Sequence, residues 1–313
     1  MKTILLTGAS SGIGRDTALA LARAGHRVLV AARRLPALET LRREAPSLEV
    51  LSLDLDDPAS IAALAAEVDH RTSGRGVDVL INNAGYATAG ALAELDDAAL
   101  RAQFETNVFG LMSLTRALVP AMIDRGAGTI INVSSVSGRI PAPILGAYHA
   151  SKYALEALSD ALRMELAPFG VQVAVIEPGT IRTEFASRAM AEATRERTTA
   201  SRYARVYERA AQLERRFDRL AGGTAPVVRA IAHAVSAKRP RARYVAPRSF
   251  ALMIALVRLL PTCWVDGAMR RMFGLTRKQL ASSSRDSRAA PMATSPAIRT
   301  WCTVTHGKPR LRS

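Results

Sequence analysis

The first fourteen residues constrain the fold of this chain more than any other stretch. Lys2–Thr7 is a short apolar run, Gly8-Ala-Ser-Ser-Gly12-Ile-Gly14 comes next, and an amphipathic pattern continues to Ala24, closed by Gly25. A strand that passes through glycines straight into a helix needs positions that tolerate positive φ and close backbone approach. It also leaves the first N–H groups of the helix unpaired and directed at the turn, where an anion such as a pyrophosphate is stabilised. Gly8, Ser10, Ser11, Gly12, Ile13 and Gly14 are the expected contacts. Tight strand-to-helix turns use glycine regardless of ligand, so the motif takes its meaning from the strands and helices downstream of it.

Short apolar runs recur at His26–Ala32, Leu48–Leu53, Val77–Ile81, Thr129–Val133 and Val171–Ile176. Between them lie helical patterns at Leu35–Ala45, from Pro58 onward, within Asp96–Arg125 and over Ala147–Ala167. Pro58 sits just inside a helix start, where a missing N–H does no harm. Strand–helix alternation of this kind predicts an α/β chain with a doubly wound parallel sheet. After Pro178 the rhythm changes. Ala186–Leu220 is rich in Arg, Glu and Ala with helical period and ends at Gly222-Gly223; Pro226–Ala237 reads as a helix and Ala242–Val245 as a seventh strand. Phe250–Val257 is the longest apolar run in this part and stops at Pro261, too short to span a bilayer. From Ser282 the chain is Ser, Arg, Pro and Thr without period, so residues 281–313 are expected to be a disordered tail and residues 1–280 a single domain.

The 313 residues carry a formal net charge of +16, and its location matters. Residues 1–185 hold 17 Lys and Arg against 20 Asp and Glu, a net of −3, whereas residues 186–313 hold 26 against 7, a net of +19. A late basic region meets phosphate, anionic lipid or an acidic substrate, or is simply a solvated Arg-rich surface. Charge alone is a poor argument for nucleic acid, which is not an expected partner. Cys263 and Cys302 build no disulfide framework and have no metal-ligand spacing, so no metal is expected and a reducing, cytoplasmic setting fits. Lys2 leads directly into Ile4-Leu5-Leu6 and glycine with no long apolar leader, so no secretory signal is expected.

A dinucleotide on the glycine turn would bring its adenosine ribose to the end of the second strand. A carboxylate there accepts from a 2′-hydroxyl, whereas a cation accommodates a 2′-phosphate. That strand ends Val30-Ala31-Ala32-Arg33-Arg34 without a carboxylate, so NADP(H) is expected in preference to NAD(H), with Arg33 as the main phosphate contact. The plainer alternative is that Arg33 and Arg34 are exposed loop cations. Asp54 and Leu55 come after the third strand at the height of an adenine; Asp54 would alternatively cap the next helix.

Asn132–Lys152 carries the groups for chemistry: a hydroxyl at Ser135, a phenol at Tyr148 and an ammonium at Lys152. Reducing a ketone places negative charge on its oxygen, which then needs a proton donor. A free phenol ionises near pH ~10. Lys152 lies four residues on, on the same helical face, and a nearby ammonium favours the phenolate. Ser135 would hydrogen-bond the substrate oxygen. Ser134 and Ser137 are rivals by type, but the thirteen-residue interval to Tyr148 and strand alternation favour Ser135. A lone Tyr-x-x-x-Lys pair is common on helix surfaces, and His149 points away from Tyr148 and reads as structural. Asn107 lies inside a helical pattern, where Asn is mildly unfavourable, which argues for a specific role.

Thr7-Gly-Ala-Ser-Ser-Gly-Ile-Gly14, Asn82-Asn83-Ala84-Gly85, Asn107, Ser135, Tyr148-His-Ala-Ser-Lys152 and Pro178-Gly179, in this order, resemble a short-chain dehydrogenase/reductase. The resemblance covers residues 1–185, extends more loosely to about 280, and does not reach the tail. It implies a Rossmann-type fold and an oxidoreductase that interconverts a carbonyl and an alcohol. By the same resemblance Asn83, Ala84 and Gly85 line the cofactor, and Asn82 braces the sheet. Pro178, Gly179, Ile181 and Thr183 meet the nicotinamide, Lys152 also holds the nicotinamide ribose, and Asn107 anchors a water linking Lys152 to solvent. Ser11 departs from the many NADP-dependent members with a basic residue in the turn, which leaves the phosphate preference mainly to Arg33.

The family's substrate lid would fall at Ala186–Leu220. With Phe250–Leu260 and Met269–Leu275 it implies an apolar pocket beneath a basic surface, as in members acting on steroid, retinoid or other lipophilic alcohols and ketones. A 3-oxoacyl or polyketide-type ketone is the competing substrate. Pairing of the long helices across subunits implies a homodimer or homotetramer. Two readings fall outside catalysis. Phe250–Leu260 and Trp264–Phe273, edged by Arg258, Arg270, Arg271 and Arg277, would suit an anionic membrane surface. An inactive NADP-binding scaffold is argued against by the intact Asn107, Ser135, Tyr148 and Lys152.

Overall fold

Strands of Val, Ile and Leu that are apolar on both faces can only lie between two layers of helices. The computed structural model, which describes residues 1–182 and 201–276, has that arrangement. Seven parallel strands run in the order β3-β2-β1-β4-β5-β6-β7. They are β1 (Thr3–Thr7), β2 (Arg27–Ala32), β3 (Leu48–Ser52), β4 (Val79–Asn82), β5 (Gly128–Val133), β6 (Val171–Pro178) and β7 (Arg243–Ala246). The helices are α1 (Gly12–Arg23), α2 (Leu35–Glu44), α3 (Pro58–Arg71), α4 (Asp97–Phe104), α5 (Leu111–Asp124) and α6 (Gly146–Leu166). After β6 come α7 (Ala204–Leu220), α8 (Ala225–Ser236), α9 (Ser249–Leu259) and α10 (Thr262–Phe273). Residues Met1–Leu275 form one compact unit.

Strand alternation divides the core in two. Ile4, Leu6, Val28, Val30 and Ile81 face Ala18 and Leu21 of α1, Leu38 and Leu41 of α2 and Val227 and Ile231 of α8. Leu5, Leu29, Leu80 and Ile130 face Ile61 and Leu64 of α3, Leu114 and Leu118 of α5 and Leu166 of α6. The chain winds outward from β1 to β3, then returns to β4 on the other side of β1. That reversal opens a crevice at the carboxyl ends of β1 and β4, where ligands of open α/β sheets bind.

Two elements differ from their sequence outlines in ways that matter. β6 runs on to Pro178 because Glu177 and Pro178 pair with Val245 and Ala246 of β7. The long helix expected within Asp96–Arg125 contains a π-helical stretch, Glu105–Gly110, between α4 and α5. The capping alternative for Asp54 is also corrected: Asp57 caps α3, accepting from Ala59 N at 2.9 Å, and Asp54 instead receives Asp56 N at 3.1 Å within its own loop. The expected Ala186–Leu220 helix is observed from Ala204; its first part, Thr183 and the expected tail lie outside the described residues.

Candidate active site

The glycine turn is tight because two backbones nearly touch. Gly8 has φ +70°, and a Cβ there would stand 2.7 Å from Ala84 Cα; one on Gly14 would stand 2.2 Å from Gly8 O. Asn83 secures the approach by donating from Nδ2 to Thr7 O (3.0 Å) and Gly8 O (3.1 Å). Thr7 does the same from the other strand, its Oγ1 accepting from Asn83 N and Ala84 N, each at 3.0 Å. Ser11, the N-cap of α1, makes no side-chain capping bond, and the N–H groups of Gly12, Ile13 and Gly14 have no acceptor among the described residues. Open donors, a helix N-terminus and a cradle that any Cβ would fill fit a phosphate-bearing group. The cations stand beside it: Arg34 Nη2 donates to Ser10 Oγ at 3.1 Å, and Arg33 Nη1 lies 3.6 Å from Asp56 Oδ2. Of the two arginines it is Arg34 that touches the turn, a division strand order alone does not show.

Asn82 is buried behind this turn, where its Nδ2 donates to Thr115 Oγ1 (3.0 Å) and to Asn132 Oδ1 (2.9 Å). It ties β4 to β5 and α5. Asn132 passes the connection on to Ser159 of α6 at 2.9 Å. Leu55 is buried and close to the π-helical stretch, since a Cβ on Gly110 would stand 2.0 Å from Leu55 O.

Ser135, Tyr148 and Lys152 converge as a group. Ser135 lies just beyond β5 and starts a short 3-10 turn, Val136–Gly138, its Oγ accepting from Ser137 N at 3.0 Å. The same hydroxyl lies 3.4 Å from Pro178 O and hydrogen-bonds the Tyr148 phenol. The buried Ser134 hydroxyl has no hydrogen-bond partner among the described residues; Ser137 presents its carbonyl to His149 Nδ1 at 2.9 Å. Of the three serines it is Ser135 whose hydroxyl meets the Tyr148 phenol. His149 is buried against that turn, and burial lowers its pKa.

Burial pushes the Tyr148 pKa up to about 12, against a pull downward from Ser135. The sequence expectation gave the downward pull to Lys152; here desolvation dominates, because the phenol is only 9% exposed. Lys152 Nζ lies 5.9 Å from the Tyr148 ring centre and donates to Val133 O at 2.9 Å. Burial lowers its pKa to about 8, opposed by the carboxylate of Glu156 one turn on.

Asn107 is fully buried in the π-helical stretch. Its Nδ2 donates to Tyr86 O (2.9 Å) and Ser151 Oγ (3.1 Å), and its Oδ1 accepts from Tyr86 N (3.1 Å). The widened turn lets one side chain hold both the Gly85–Tyr86 loop and α6. π-bulges recur at functional sites for this reason. Gly85 lies against it, and a Cβ there would be 3.0 Å from Asn107 Oδ1 and 3.8 Å from Lys152 Nζ.

On the remaining side Pro178 and Gly179 close the site, with Gly179 N donating to Ala246 O at 2.9 Å, and Ile181 pairs with Gly222. An open, mainly apolar pocket of about 330 Å³ is lined by Ala91, Leu92, Pro143, Ile144, Gly146 at the start of α6, Tyr203 and Leu275 among others. This corrects the expected pocket wall. Leu275 contributes, but most of Phe250–Leu260 faces solvent, because α9 buries only Ile254. Sequence reasoning also passes over Thr7, Ser151 and Gln103, whose side chain binds Thr88 N at 2.6 Å and Tyr86 O at 2.8 Å. Thr7 and Ser151 sit within the family motifs, so proximity is the available signal; Gln103 has none. The part-buried pair Arg139–Glu177 (2.8 Å), with Arg243–Glu156 (3.0 Å), is equally silent, since its members meet only in the folded sheet edge.

A family model described as short chain dehydrogenase matches residues 2–194. The chain belongs to the short-chain dehydrogenase family. It is an oxidoreductase of that family by sequence and by fold. Over 184 residues it is 46% identical to the uncharacterized oxidoreductase YbbO of Escherichia coli K12, an alignment spanning 59% of this chain and 67% of that protein. A short-chain dehydrogenase from Streptomyces avermitilis is 33% identical with a TM-score of 0.70, covering 93% of this chain and 98% of that one. Two more distant solved relatives differ in nucleotide: one from Sphingobium yanoikuyae is in complex with NADPH (27% identical, TM-score 0.65, 89% and 97% covered). The other, from Burkholderia phymatum, is in complex with NAD (26% identical, TM-score 0.70, 82% and 92% covered).

Proposed function

We propose that this chain is an NADP(H)-dependent oxidoreductase interconverting a carbonyl and a secondary or primary alcohol on a lipophilic, steroid- or retinoid-like substrate. The observation that carries it is the Ser135–Tyr148 contact with Lys152 one turn on, beside an open glycine turn. In this reading Gly8, Ser10, Ser11, Gly12, Ile13 and Gly14 hold the pyrophosphate. Arg33, joined by Arg34, meets the 2′-phosphate; the absence of a carboxylate at the end of β2 supports that choice, and so does the NADPH-bound relative. Asp54 and Leu55 flank the adenine, Asn83, Ala84 and Gly85 the middle of the cofactor, and Pro178, Gly179, Ile181 and Thr183 the nicotinamide. The bound nicotinamide supplies or accepts the hydride.

The protein's own part is the proton. In reduction Tyr148 gives its phenolic proton to the substrate oxygen while Ser135 hydrogen-bonds that oxygen; in oxidation the phenolate takes the proton back. A phenol raised to about 12 needs help to ionise, and the Lys152 ammonium provides it when a substrate competes for the Ser135 hydroxyl. Asn107 uses both amide protons on Tyr86 and Ser151, which leaves one lone pair on Oδ1 for a water serving Lys152. The apolar pocket supports a lipophilic substrate. Exposed Phe109 and Met164, on the long helical elements, support a homo-oligomer, and the free exposed Cys263 a reducing, cytoplasmic setting.

The test is a cofactor-oxidation screen over ketones and aldehydes graded by size and polarity, run with NADPH and NADH. Turnover of bulky apolar ketones with NADPH is expected. Preference for NADH would remove the cofactor assignment, and preference for acyl-thioester ketones would move the substrate to the 3-oxoacyl or polyketide class.

A further inference from the structure

Helices α9 and α10 invert the usual partition of side chains. Leu252, Met253, Leu256, Leu259, Leu260 and Trp264 are all exposed, Leu259 by 83% and Leu252 and Trp264 by 67% each. Leu252, Leu256 and Leu259 obey the i, i+4, i+7 rule and so share one helical face, opposite Ile254, the residue that anchors α9. α10 is anchored by Phe273 and by Arg209 of α7, which donates to Met272 O at 3.2 Å. Single exposed leucines are ordinary, but six exposed large apolar side chains between residues 252 and 264 mark a contact surface.

Its charge says what kind of contact. Residues 248–276 contain Arg248, Arg258, Arg270 and Arg271 and one acid, Asp266, all of them exposed. A second copy on a two-fold axis would set this cationic patch against itself. An anionic lipid surface accepts both features, the arginines at the headgroups and the leucines and Trp264 at the acyl boundary. The two helices also reach Gly179 at one end and the apolar pocket at the other. Phe250, in the first turn of α9, packs on Gly179, and Leu275, just beyond α10, lines the apolar pocket.

We propose that α9 and α10 form a docking surface for an anionic phospholipid bilayer, with the mouth of the apolar pocket held at the lipid boundary. Docking stands on the exposed patch and its charge, so it does not require the oxidoreductase assignment.

The experiment uses the full chain and vesicles of phosphatidylglycerol with phosphatidylcholine, compared with phosphatidylcholine alone, in sedimentation at low salt. Trp301→Phe leaves Trp264 as the one tryptophan reporter. Expected are pelleting with the anionic vesicles, binding about tenfold weaker to the neutral ones, and a blue shift of Trp264 emission. Leu252→Ser/Leu256→Ser/Leu259→Ser should keep its thermal unfolding midpoint and bind anionic vesicles about tenfold or more weakly. Absence of pelleting at low salt would overturn the proposal. So would unchanged binding by the triple variant, which assigns lipid contact to other basic segments. A wild-type dimer that the triple variant dissolves without lipid would assign the face to a second copy instead.

Discussion

Helices α6 and α9 each come after a parallel strand, β5 and β7, yet they treat their side chains in opposite ways. α6 buries Tyr148, His149, Ser151, Lys152, Glu156 and Ser159, while α9 leaves Leu252, Leu256 and Leu259 in solvent. Lys152 is 5% exposed and Leu259 is 83% exposed. Polarity alone would predict the reverse. In α6 the buried polar groups are held by partners: Ser159 receives Asn132, Ser151 receives Asn107, and Lys152 donates to Val133. In α9 nothing within the described residues covers the leucines, the face assigned above to a lipid surface as a proposal. The contrast teaches that position relative to the crevice between β1 and β4 decides which helix bears the desolvation cost of chemistry.

The contrast can be broken most sharply at Tyr148. Tyr148→Phe should lower kcat by about a thousandfold or more while cofactor affinity, read by fluorescence titration, stays within about twofold. Near-normal turnover would remove Tyr148 from the proton route. Next in size is a pair of identical chemistries. Leu114→Ala, fully buried beneath the sheet, should lower unfolding free energy by about 2–5 kcal/mol in denaturant titration. Leu259→Ala should stay within about 0.5 kcal/mol. Equal losses would mean that α9 is packed after all.

Thr7→Val tests the cofactor side. It removes the acceptor shared by Asn83 N and Ala84 N, which should cost about 1–3 kcal/mol and raise the apparent KM for cofactor more than it lowers kcat. A change confined to kcat would show that Thr7 does not set this loop.

Glu156→Gln is the finest probe. The Glu156 carboxylate raises the pKa of Lys152, which burial holds at about 8, so its neutralisation should lower that value further. The ammonium is then lost at lower pH, and the alkaline limb of ketone reduction should move to lower pH with little change at the acidic end. An unmoved limb would separate Glu156 from Lys152. The folded Lys152 value of about 8 lies below its ordinary 10.5. The unfolded chain therefore binds more proton between those values, and the Lys152 contribution to stability rises with pH across that window. Thermal unfolding measured from pH ~8 to ~10.5 in both proteins should show this trend, beginning at lower pH in the variant.

Much of the fold and of the candidate site is legible before folding, and particular residues show why. The glycine turn, the strand rhythm and Tyr148–Lys152 are local: each depends on neighbours within a few positions, so spacing carries the information. Strand alternation separates Ser135 from Ser134, the thirteen-residue interval to Tyr148 separates it from Ser137, and the Ser135–Tyr148 contact agrees. Asn107 stands out because Asn is a poor helix interior residue, but nothing in its neighbours announces the π-helical stretch that accommodates it. The pocket wall is misread from sequence because an apolar run such as Phe250–Leu260 looks the same whether it faces a core, a ligand or lipid.

The sequence by itself determined the doubly wound sheet, the family and the grouping of Ser135, Tyr148 and Lys152, because backbone sterics, side-chain period and short-range spacing are written locally. Tertiary structure alone decided that burial carries Tyr148 to about 12 and Lys152 to about 8, that Arg34 rather than Arg33 touches the glycine turn, and that α9 turns its leucines outward. Desolvation and long-range contacts depend on what lies across the fold, and that is set only when distant segments pack together.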